Sequence, residues 1–463
     1  MPQQINHISF RGGPYGSVVP IAIFILATIF LILNGSADVK SMIVTAMLSI
    51  SLGMLFASSP VDYSEAIFSL IANRVTGVAV TCWLWVGAFS GILADSGLTE
   101  AIVWLGWKLS LGGIVFVLCT FIISAIFTVS VGSALGTVVG FTTVIYPAGI
   151  LLGAPPGPLM GAIISGAAFG DNLAPISDTT IISAATQETD IGGVVRSRLK
   201  YSLSAAFIAS VLFFIHGDSA FTSNTLEANK LLAEMADPSG LPMLIPGLIV
   251  LVSMIFGCHF FLAINLGIFS TLVIGSFTGV FPLERVIQFS GEGSFGGSMV
   301  DGIMAILPIV ILAMLLITVN GLMERGGFFN RLLALLESNA VKSVRGAETA
   351  IVTLVSIANL CVPGNTTAMI TVGPLVNKLR KRHGIHPYRS ANLIDTISCS
   401  FPFMLPYSAI IILTIALQKE LLERYDFIVV LSWSDIWPHV YYGIVLFPLM
   451  ILAVITGFGR KKG

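Results

Sequence analysis

The stretch from Ser165 to Ser183 carries the clearest chemistry in this sequence of 463 residues. It reads SGAAFGDNLAPISDTTIIS, so two carboxylates and several hydroxyl groups stand within an otherwise apolar segment. Carboxylates in such a segment are costly to bury and commonly mark a path for ions or protons. The candidate cation ligands are Asp171, Asn172, Ser177, Asp178, Thr179 and Thr180.

Proline and glycine residues predict that a helix is broken within this stretch. Pro175 removes one backbone donor and clashes with the preceding turn, while Gly166 and Gly170 weaken the helix before it. A break leaves carbonyl groups free on one side and N–H groups free on the other. Carbonyls, hydroxyls and carboxylates suit a hard cation such as Na⁺, and burial favours the protonated form of a carboxyl group. A cation that arrives there can displace a proton, unless Asp171 and Asp178 only cap helices.

The second half of the sequence offers another set of polar residues. Asn365, Thr366 and Thr367 follow a Pro-Gly pair, which predicts either the tip of a hairpin or a simple polar turn. Asp395 lies in an apolar helix and shares a face with Ser398, and it has either a functional role or a structural pairing with a neighbouring helix. The candidate substrate and gating residues are Gly132, Ser133, Asn365, Thr366, Thr367, Asp395, Ser398 and Ser400.

The composition excludes a soluble enzyme. The chain is 55% hydrophobic and 10% charged, with a mean hydropathy of +0.94, whereas a soluble domain carries about 25% charged residues. About fourteen apolar segments are present, and several are short or broken, so some are expected to be re-entrant. A net charge of −1 offers no argument for nucleic acid. Because no Walker A motif, nucleotide-binding glycine motif or nucleophile elbow is found, we expect no cofactor and a transporter driven by ion gradients.

An internal repeat is the main organisational signal. Gly91 resembles Gly321 in its surroundings, 230 positions on, and Pro175 and Ser177 stand 231 positions before Pro406 and Ser408. We therefore predict an all-α polytopic membrane protein with two inverted-topology repeats that contain re-entrant hairpins and broken helices. The predicted units are a first repeat (1–217), an extracytoplasmic linker (218–241) and a second repeat (242–463).

The distribution of basic residues predicts the orientation. The loop 378–389 is strongly basic, whereas its counterpart in the first half, 147–158, has no charge. The positive-inside rule places the basic loop in the cytoplasm, together with Arg196, Arg198, Lys200 and the C-terminal tail. This predicts a multi-pass protein of the bacterial inner (plasma) membrane with both termini cytoplasmic. The alternative is that the asymmetry arises by chance.

The motif Gly170-Asp-Asn-Leu-Ala-Pro-Ile-Ser-Asp-Thr-Thr180 resembles the signature of the NhaC-type Na⁺/H⁺ antiporters. His386 to Pro402 is similar to the second-half motif of that family. The resemblance implies the ion transporter superfamily fold, with a scaffold part and a transport part made of two re-entrant hairpins and two broken helices. Leu135 and Ile394 depart from the family pattern, and relatives also exchange carboxylates or amino acids, so the substrate stays open.

These observations predict a secondary active transporter that exchanges Na⁺ for H⁺ by alternating access. Asp171 and Asp178 would bind cation and proton in competition, and the neighbouring amide and hydroxyl groups would supply neutral oxygens. The alternative is a Na⁺- or H⁺-coupled transporter of a small carboxylate or amino acid. A channel fits less well, because no span is polar along its length. The expected partners are the lipid bilayer, a small cation and, in the alternative, a small metabolite, with no nucleic acid; a homodimer is left open.

Overall fold

The computed structural model describes residues 7–34, 39–175, 177–216, 236–256, 258–289, 295–340, 343–361 and 364–460. Over these residues the chain is mostly helical, with one short ribbon in which β1 (Gln288–Phe289) pairs antiparallel with β2 (Phe295–Gly296). Eight of the described helices are long and apolar enough to cross a membrane, or ten if two bent pairs each form one span. The prediction of an all-α polytopic membrane protein is confirmed.

The first half of the described chain contains ten α-helices. Short 3-10 helices stand at Gly13–Val18 and Met54–Phe56. The α-helices are α1 (Val19–Leu33), α2 (Val39–Gly53), α3 (Pro60–Ile71), α4 (Arg74–Asp95), α5 (Leu98–Lys108), α6 (Gly113–Val131), α7 (Ala134–Leu151), α8 (Pro156–Leu173), α9 (Asp178–Thr186) and α10 (Ile191–His216).

The described part of the second half repeats much of this order. Its 3-10 helices are Pro238–Met243, Leu283–Arg285, Phe401–Phe403 and Trp437–His439. The α-helices are α11 (Leu244–Ile255), α12 (Phe260–Thr278), α13 (Ser298–Arg325), α14 (Phe328–Ala340), α15 (Val344–Cys361), α16 (Asn365–His383), α17 (Pro387–Ser398), α18 (Ala409–Arg424), α19 (Trp433–Ile436) and α20 (Tyr441–Thr456).

Equivalent elements begin at equivalent positions in the two halves. Helices α8 and α17 begin at Pro156 and Pro387, which are 231 positions apart. Helices α9 and α18 are capped by Ser177 and Ser408, also 231 apart, and each serine side chain accepts a backbone N–H of the first turn. The offset in the sequence therefore corresponds to an offset between structural elements.

The two repeats run in opposite directions. Helices α4 and α13 are counterparts, and they cross where Gly87 meets Gly302 and Gly91 meets Ser298, so the two chains are antiparallel. Helices α10 and α20 are antiparallel as well, since Tyr201 donates to the carbonyl of Phe458 while Phe213 packs on Tyr441. Antiparallel pairing of equivalent helices indicates a pseudo-twofold axis perpendicular to the helices. This is the geometry of an inverted-topology repeat.

Each repeat contains a helical hairpin followed by a broken helix. In the first hairpin, the turn between α6 and α7 contains Gly132, whose φ of 69° lies in the left-handed region. At the base of this hairpin, the N–H of Gly113 donates a hydrogen bond to the carbonyl of Leu152. Helices α15 and α16 form the second hairpin, of whose tip Gly364 is described. The broken helices are α8–α9 and α17–α18.

Burial separates the outer surface from the centre. Large apolar side chains on α10 and α12 are exposed, for example Phe207 (71%) and Phe277 (89%), which fits contact with lipid tails. The span from Pro156 to Thr186 is 88% buried over its most apolar window, so the first broken helix lies at the centre of the protein.

The predicted repeat boundaries at 217 and 242 stay a prediction. Most of the predicted linker, 218–235, lies outside the described residues. Where the chain is described again, Gly240 packs against the backbone of Gly97, at the end of α4.

Candidate functional site

The first helix break places the carboxylate of Asp171 close to the N-terminus of α9. Helix α8 ends at Leu173, two residues after Asp171, and Pro175 follows in the connecting segment. The next helix starts at Asp178, with Ser177 as its N-cap: its hydroxyl accepts Thr179 N–H at 3.3 Å. The predicted break is therefore present at this site, and it brings the last turn of α8 against the first turn of α9.

Asp171 is the centre of this arrangement. It is only 5% exposed. Ser177 Oγ donates to its Oδ1 at 2.6 Å, and Asn365 Nδ2 donates to its Oδ2 at 2.7 Å. The two donors come from different repeats, so the tip of the second hairpin completes the surroundings of the first break.

Oxygen atoms gather on one side of Asp171. Ser177 Oγ and Thr179 Oγ1 are 2.9 Å apart, and Thr179 Oγ1 donates to the main-chain carbonyl of Asp171 at 3.1 Å. Both hydroxyl side chains are buried. Carboxylate, hydroxyl and carbonyl oxygens thus lie together, which are the ligand types that hard cations take.

The second buried carboxylate is held by an arginine. Asp395 Oδ2 lies 2.8 Å from Arg198 Nη1, and both side chains are 0% exposed. Arg198 also donates to the carbonyl of Asn172, and to Thr180 Oγ1 at 3.1 Å. Its Nε donates to Asn392 Oδ1 at 3.2 Å. The guanidinium group is therefore fully engaged, and it neutralises Asp395 where the two broken helices meet.

Asn172 links the two carboxylate positions. Its Nδ2 donates to Asp395 Oδ1 at 3.2 Å, while its own Oδ1 accepts from Ser202 at 2.5 Å and from Tyr442 at 3.2 Å. Asp171 and Asn172 are consecutive, so the hydrogen-bond partners of the two carboxylates are connected through neighbouring residues. The site therefore behaves as one connected network.

The net charge of the network follows from this pairing. Within the described residues Asp171 makes no ion pair, whereas Asp395 is paired with Arg198. A buried carboxylate without a cationic partner is costly, and it requires either a proton or a cation from solution. The network as built holds one carboxylate in excess.

Several predicted residues lie outside this network. Asp178 stands in the first turn of α9, yet its side chain is exposed and makes no hydrogen bond within the described part of the chain. Ser398 accepts from Asn359 at 2.9 Å, and Ser400 donates to the carbonyl of Thr396 at 3.0 Å. Thr366 Oγ1 lies 3.3 Å from Asn365 Oδ1. The side chain of Thr367 lies outside the described residues.

The first hairpin tip has a structural arrangement of its own. Gly132 ends α6, and Ser133 caps α7 by accepting Gly136 N–H at 3.2 Å. Below the tip, Thr128 Oγ1 donates to Thr137 Oγ1 at 2.7 Å. No hydrogen bond joins Gly132 or Ser133 to Asp171 among the residues described, so the two tips are not equivalent in their contacts.

The second break is apolar where the first is charged. Pro402 stands 231 positions after Asp171, within the short 3-10 helix between α17 and α18, and it is flanked by Phe401 and Phe403. Ser408 matches Ser177 as an N-cap. The polar residues of the site therefore belong to the first break, to the second hairpin tip and to Asp395.

Sequence reasoning missed Arg198, Ser183 and Tyr442. Ser183 Oγ donates to Asp395 Oδ2 at 3.0 Å. The positive-inside rule places Arg198 in a cytoplasmic basic segment, because it stands between Arg196 and Lys200. The signal for its burial was available, since Arg198, Tyr201 and Ser202 follow the helical period and occupy one buried face of α10.

At the end of the molecule that carries the basic loop, an ion pair joins the second hairpin to the segment after α9. Lys381 Nζ of α16 lies 2.7 Å from Glu188 Oε1, in the loop after α9. This hydrogen bond holds the pKa of the Glu188 carboxyl below its usual range. Gln187 is buried beside it and donates to the carbonyl of Gly373 at 3.0 Å. These contacts hold the second hairpin against α9.

Comparisons with known proteins cover mainly the first half. Residues 6–218 match the model described as the Na⁺/H⁺ antiporter family. The malate-2H⁺/Na⁺-lactate antiporter of Bacillus subtilis (strain 168) is 30% identical over 216 residues, 46% of this chain and 46% of that protein. The Na⁺/H⁺ antiporter NhaC of Alkalihalophilus pseudofirmus is 26% identical over 239 residues, 47% and 50% of the two chains. The chain thus spans about half the length of the curated relatives it matches.

Among solved structures, Neisseria gonorrhoeae MtrF aligns over 94% of this chain and 95% of that one, with a TM-score of 0.43 and 13% identity. Residues 6–218 are thus similar to the Na⁺/H⁺ antiporter family, and the resemblance to NhaC-type antiporters indicated by the motif from Gly170 to Thr180 is confirmed.

Proposed function

We propose that this integral membrane protein is a secondary active transporter that exchanges Na⁺ for H⁺ by alternating access. The observation that carries the proposal is the state of Asp171. Its carboxylate is 5% exposed, it accepts from the neutral donors Ser177, Asn365 and, at 3.9 Å, Cys399, and it has no ion pair among the described residues. Such a group binds one proton or one monovalent cation, and the two compete for the same oxygens.

The surroundings of Asp171 support a cation as the second ligand. Ser177, Thr179 and the carbonyl of Asp171 supply oxygens on one side. Asn365 now donates through Nδ2, and rotation of its amide would present Oδ1 to a bound ion instead. Asp178, exposed at the start of α9, is proposed to bind the ion as it approaches, in keeping with its place in the motif.

Alternating access would follow from the relation between the repeats. The network joins a break in one repeat to a hairpin tip in the other, so movement of the second hairpin changes the ligands of Asp171. Inverted repeats allow the protein to open towards either side with equivalent contacts. The ion would therefore stay near one position while access to it changes.

For orientation, we propose the bacterial inner membrane with both termini in the cytoplasm, following the basic loop 378–389. Cysteine labelling at a residue of this loop would test the orientation. Arg389 does not suit such a substitution, because its side chain is buried against Glu348. Lys381 is 54% exposed at the same end and suits a cysteine substitution. Labelling of Lys381→Cys from the outside of intact cells would reverse the proposed orientation.

The alternative is coupled transport of a small carboxylate or amino acid. It is motivated by the names of two relatives, a malate-2H⁺/Na⁺-lactate antiporter and an arginine/ornithine antiporter. The position of Arg198 weighs against a carboxylate at this site, because its guanidinium group is already bound by Asp395, Asn172 and Thr180.

The test is Na⁺-driven proton movement in everted membrane vesicles. We expect wild type to collapse an imposed pH gradient when Na⁺ is added, and Asp171→Asn to lose this response. Asp62→Asn serves as the matched control, since Asp62 is exposed in the first turn of α3. A well-expressed wild type that ignores Na⁺ alone but responds once malate, lactate or arginine is present would overturn simple exchange in favour of the alternative.

A further inference from the structure

A cavity of about 440 Å³ lies away from the Asp171 network. Two of its walls are α4 and α13, which we call the scaffold pair. The other two are α7, which leads away from the first hairpin tip, and α18, which leads away from the second break; we call these two helices the arms. Thr143 stands ten residues beyond Ser133 at the tip, which corresponds to about 15 Å along the helix. The cavity is therefore displaced from the level of the tip towards the end of the molecule opposite the basic loop.

The lining of this cavity is strongly acidic. Asp95 is paired with Arg424 at 3.0 Å. The carboxylates of Asp301, Glu420 and Glu423 also line the cavity and make no ion pair within the described residues, and Glu420 lies close enough to the other two to be repelled by them. Three unpaired carboxylates around one space attract cations from solution.

An unpartnered hydroxyl group inside the cavity is independent of the acidic side chains. Ser90 of α4 is 3% exposed, lines the cavity and makes no hydrogen bond within the described part of the chain. Its oxygen is accessible from the cavity, so water molecules there can supply the hydrogen bonds that the protein does not. Beside it, Thr143 donates to the carbonyls of Val139 and Gly140 and keeps acceptor capacity free. Both oxygens suit water molecules or a hydrated ion.

The cavity does not result from loose packing of the scaffold. Helices α4 and α13 touch at Gly87 and Gly302, where a Cβ added to Gly87 would lie 2.7 Å from the carbonyl oxygen of Gly302. The space opens only between this tight pair and the two arms. It lies between the scaffold and the elements that alternating access would move.

The equivalent interface at the other end is bridged. Ala94 lines the cavity, and its counterpart 230 positions on is Glu324 of α13. Thr371 Oγ1 of α16 donates to Glu324 Oε2 at 3.2 Å, which joins the scaffold to the second hairpin. Each end of the pseudo-symmetric interface has a polar contact across it, Thr371 to Glu324 at one end and Arg424 to Asp95 at the other, but the cavity lies beside the second contact.

We propose that this cavity is an extracytoplasmic vestibule that binds hydrated monovalent cations, with Asp301, Glu420 and Glu423 as the attracting charges and Ser90 at its inner wall. The inference rests on the proposed function for its purpose, and it identifies the state described here as open to the outside. Its volume is that of roughly fifteen water molecules at about 30 Å³ each, which is enough for an ion with its first hydration shell.

The vestibule is tested without measuring transport. Ser90→Cys, a nearly isosteric change, is reacted in right-side-out vesicles with a cationic and an anionic methanethiosulfonate reagent of similar size. We expect the cationic reagent to react roughly tenfold faster, and the preference to fall with ionic strength. The native cysteines are controlled by wild type, and Thr143→Cys provides a second reporter should Ser90→Cys fail to fold.

The charges are tested by neutralising them. Glu420→Gln with Glu423→Gln should remove most of the preference for the cationic reagent, whereas Glu284→Gln, an exposed acid outside the cavity lining, should leave it unchanged. Equal rates for the two reagents, or no labelling of either reporter from outside, would overturn the vestibule. Preferential labelling in a protein that shows no Na⁺/H⁺ exchange would support the vestibule and refute the proposed exchange, so the two failures are distinguishable.

Discussion

The amide of Asn365 donates a 2.7 Å hydrogen bond to the carboxylate of Asp171, so the hairpin tip of the second repeat reaches the helix break of the first. A hydrogen bond to a charged group contributes about 1.5–3 kcal/mol. If Asn365 becomes an ion ligand in transport, Asn365→Ala should raise the KM for Na⁺ by about tenfold or more. Thr366→Ala should change it far less, because Thr366 contacts Asn365 and not Asp171. An unchanged KM in Asn365→Ala would exclude the tip from the site.

The ion pair between Arg198 and Asp395 predicts a pattern of stability. Removing one partner of a buried pair leaves an uncompensated charge, which costs about 3–5 kcal/mol. We expect Arg198→Gln and Asp395→Asn each to lower the melting temperature in detergent clearly. The double variant should be more stable than Arg198→Gln alone, since it removes both charges. Additive losses in the double variant would show that the pair does not determine stability.

Among the described residues of the site, one buried carboxylate is unpaired, and this predicts electroneutral exchange. If Asp171 carries either one Na⁺ or one H⁺ while Arg198 stays with Asp395, both loaded forms of the network have the same charge. The exchange rate in proteoliposomes should then not change when the membrane potential is set with K⁺ and valinomycin. A rate that rises with an imposed potential would mean that a second group, with Asp178 the first candidate, titrates in the cycle.

Close packing behind Asp171 predicts a sharp difference between two glycines. A Cβ on Gly170 would collide with Thr128 of α6, whereas a Cβ on Gly140 would meet no atom within 4 Å. Because overpacking typically costs about 1–3 kcal/mol, Gly170→Ala should reduce both thermal stability and transport. Gly140→Ala should keep both. Normal stability and transport in Gly170→Ala would mean that α6 can move away from the site.

The ion pair between Lys381 and Glu188 predicts that its removal changes the transport rate by a factor that does not depend on pH. The hydrogen bond from Lys381 lowers the pKa of Glu188, so Glu188 is charged above its usual titration range and the contact weakens only as the pH falls through the lowered pKa. Between about pH 6 and 9 the Glu188 carboxyl therefore stays ionised. Glu188→Gln should therefore change the transport rate by one constant factor across that range. A factor that varies with pH would place a titrating group of the cycle next to Glu188.

The sequence predicted where helices are interrupted better than it predicted which residues surround Asp171. Pro175, Ser177 and the 231-residue offset are local signals, and the structure contains the helix starts that they indicate. Asp171 was selected because a carboxylate in an apolar segment is informative on its own. The residues that complete its surroundings are distant in sequence, since Asn365 stands 194 positions away.

Arg198 and Asp178 show what local reasoning does not specify. A charge count treats all basic residues of a segment alike, but α10 turns Arg198 inward while Arg196 and Lys200 satisfy the orientation rule. Asp178 shares the motif with Asp171, yet it stands seven positions on, beyond the break, where its side chain is exposed. Which face of a broken helix is buried depends on packing with the other repeat, and no pattern within one segment specifies that.

The apolar second break has a consequence for how such a protein can diverge. The two repeats have the same order of helices, but the position equivalent to Asp171 is Pro402, between Phe401 and Phe403. Under the proposed exchange, the number of charges moved in each cycle would then depend on how many of the two repeats have an acid at that position. A variant with a carboxylate at residue 402 would change its coupling ratio while keeping the same helices, hairpins and axis.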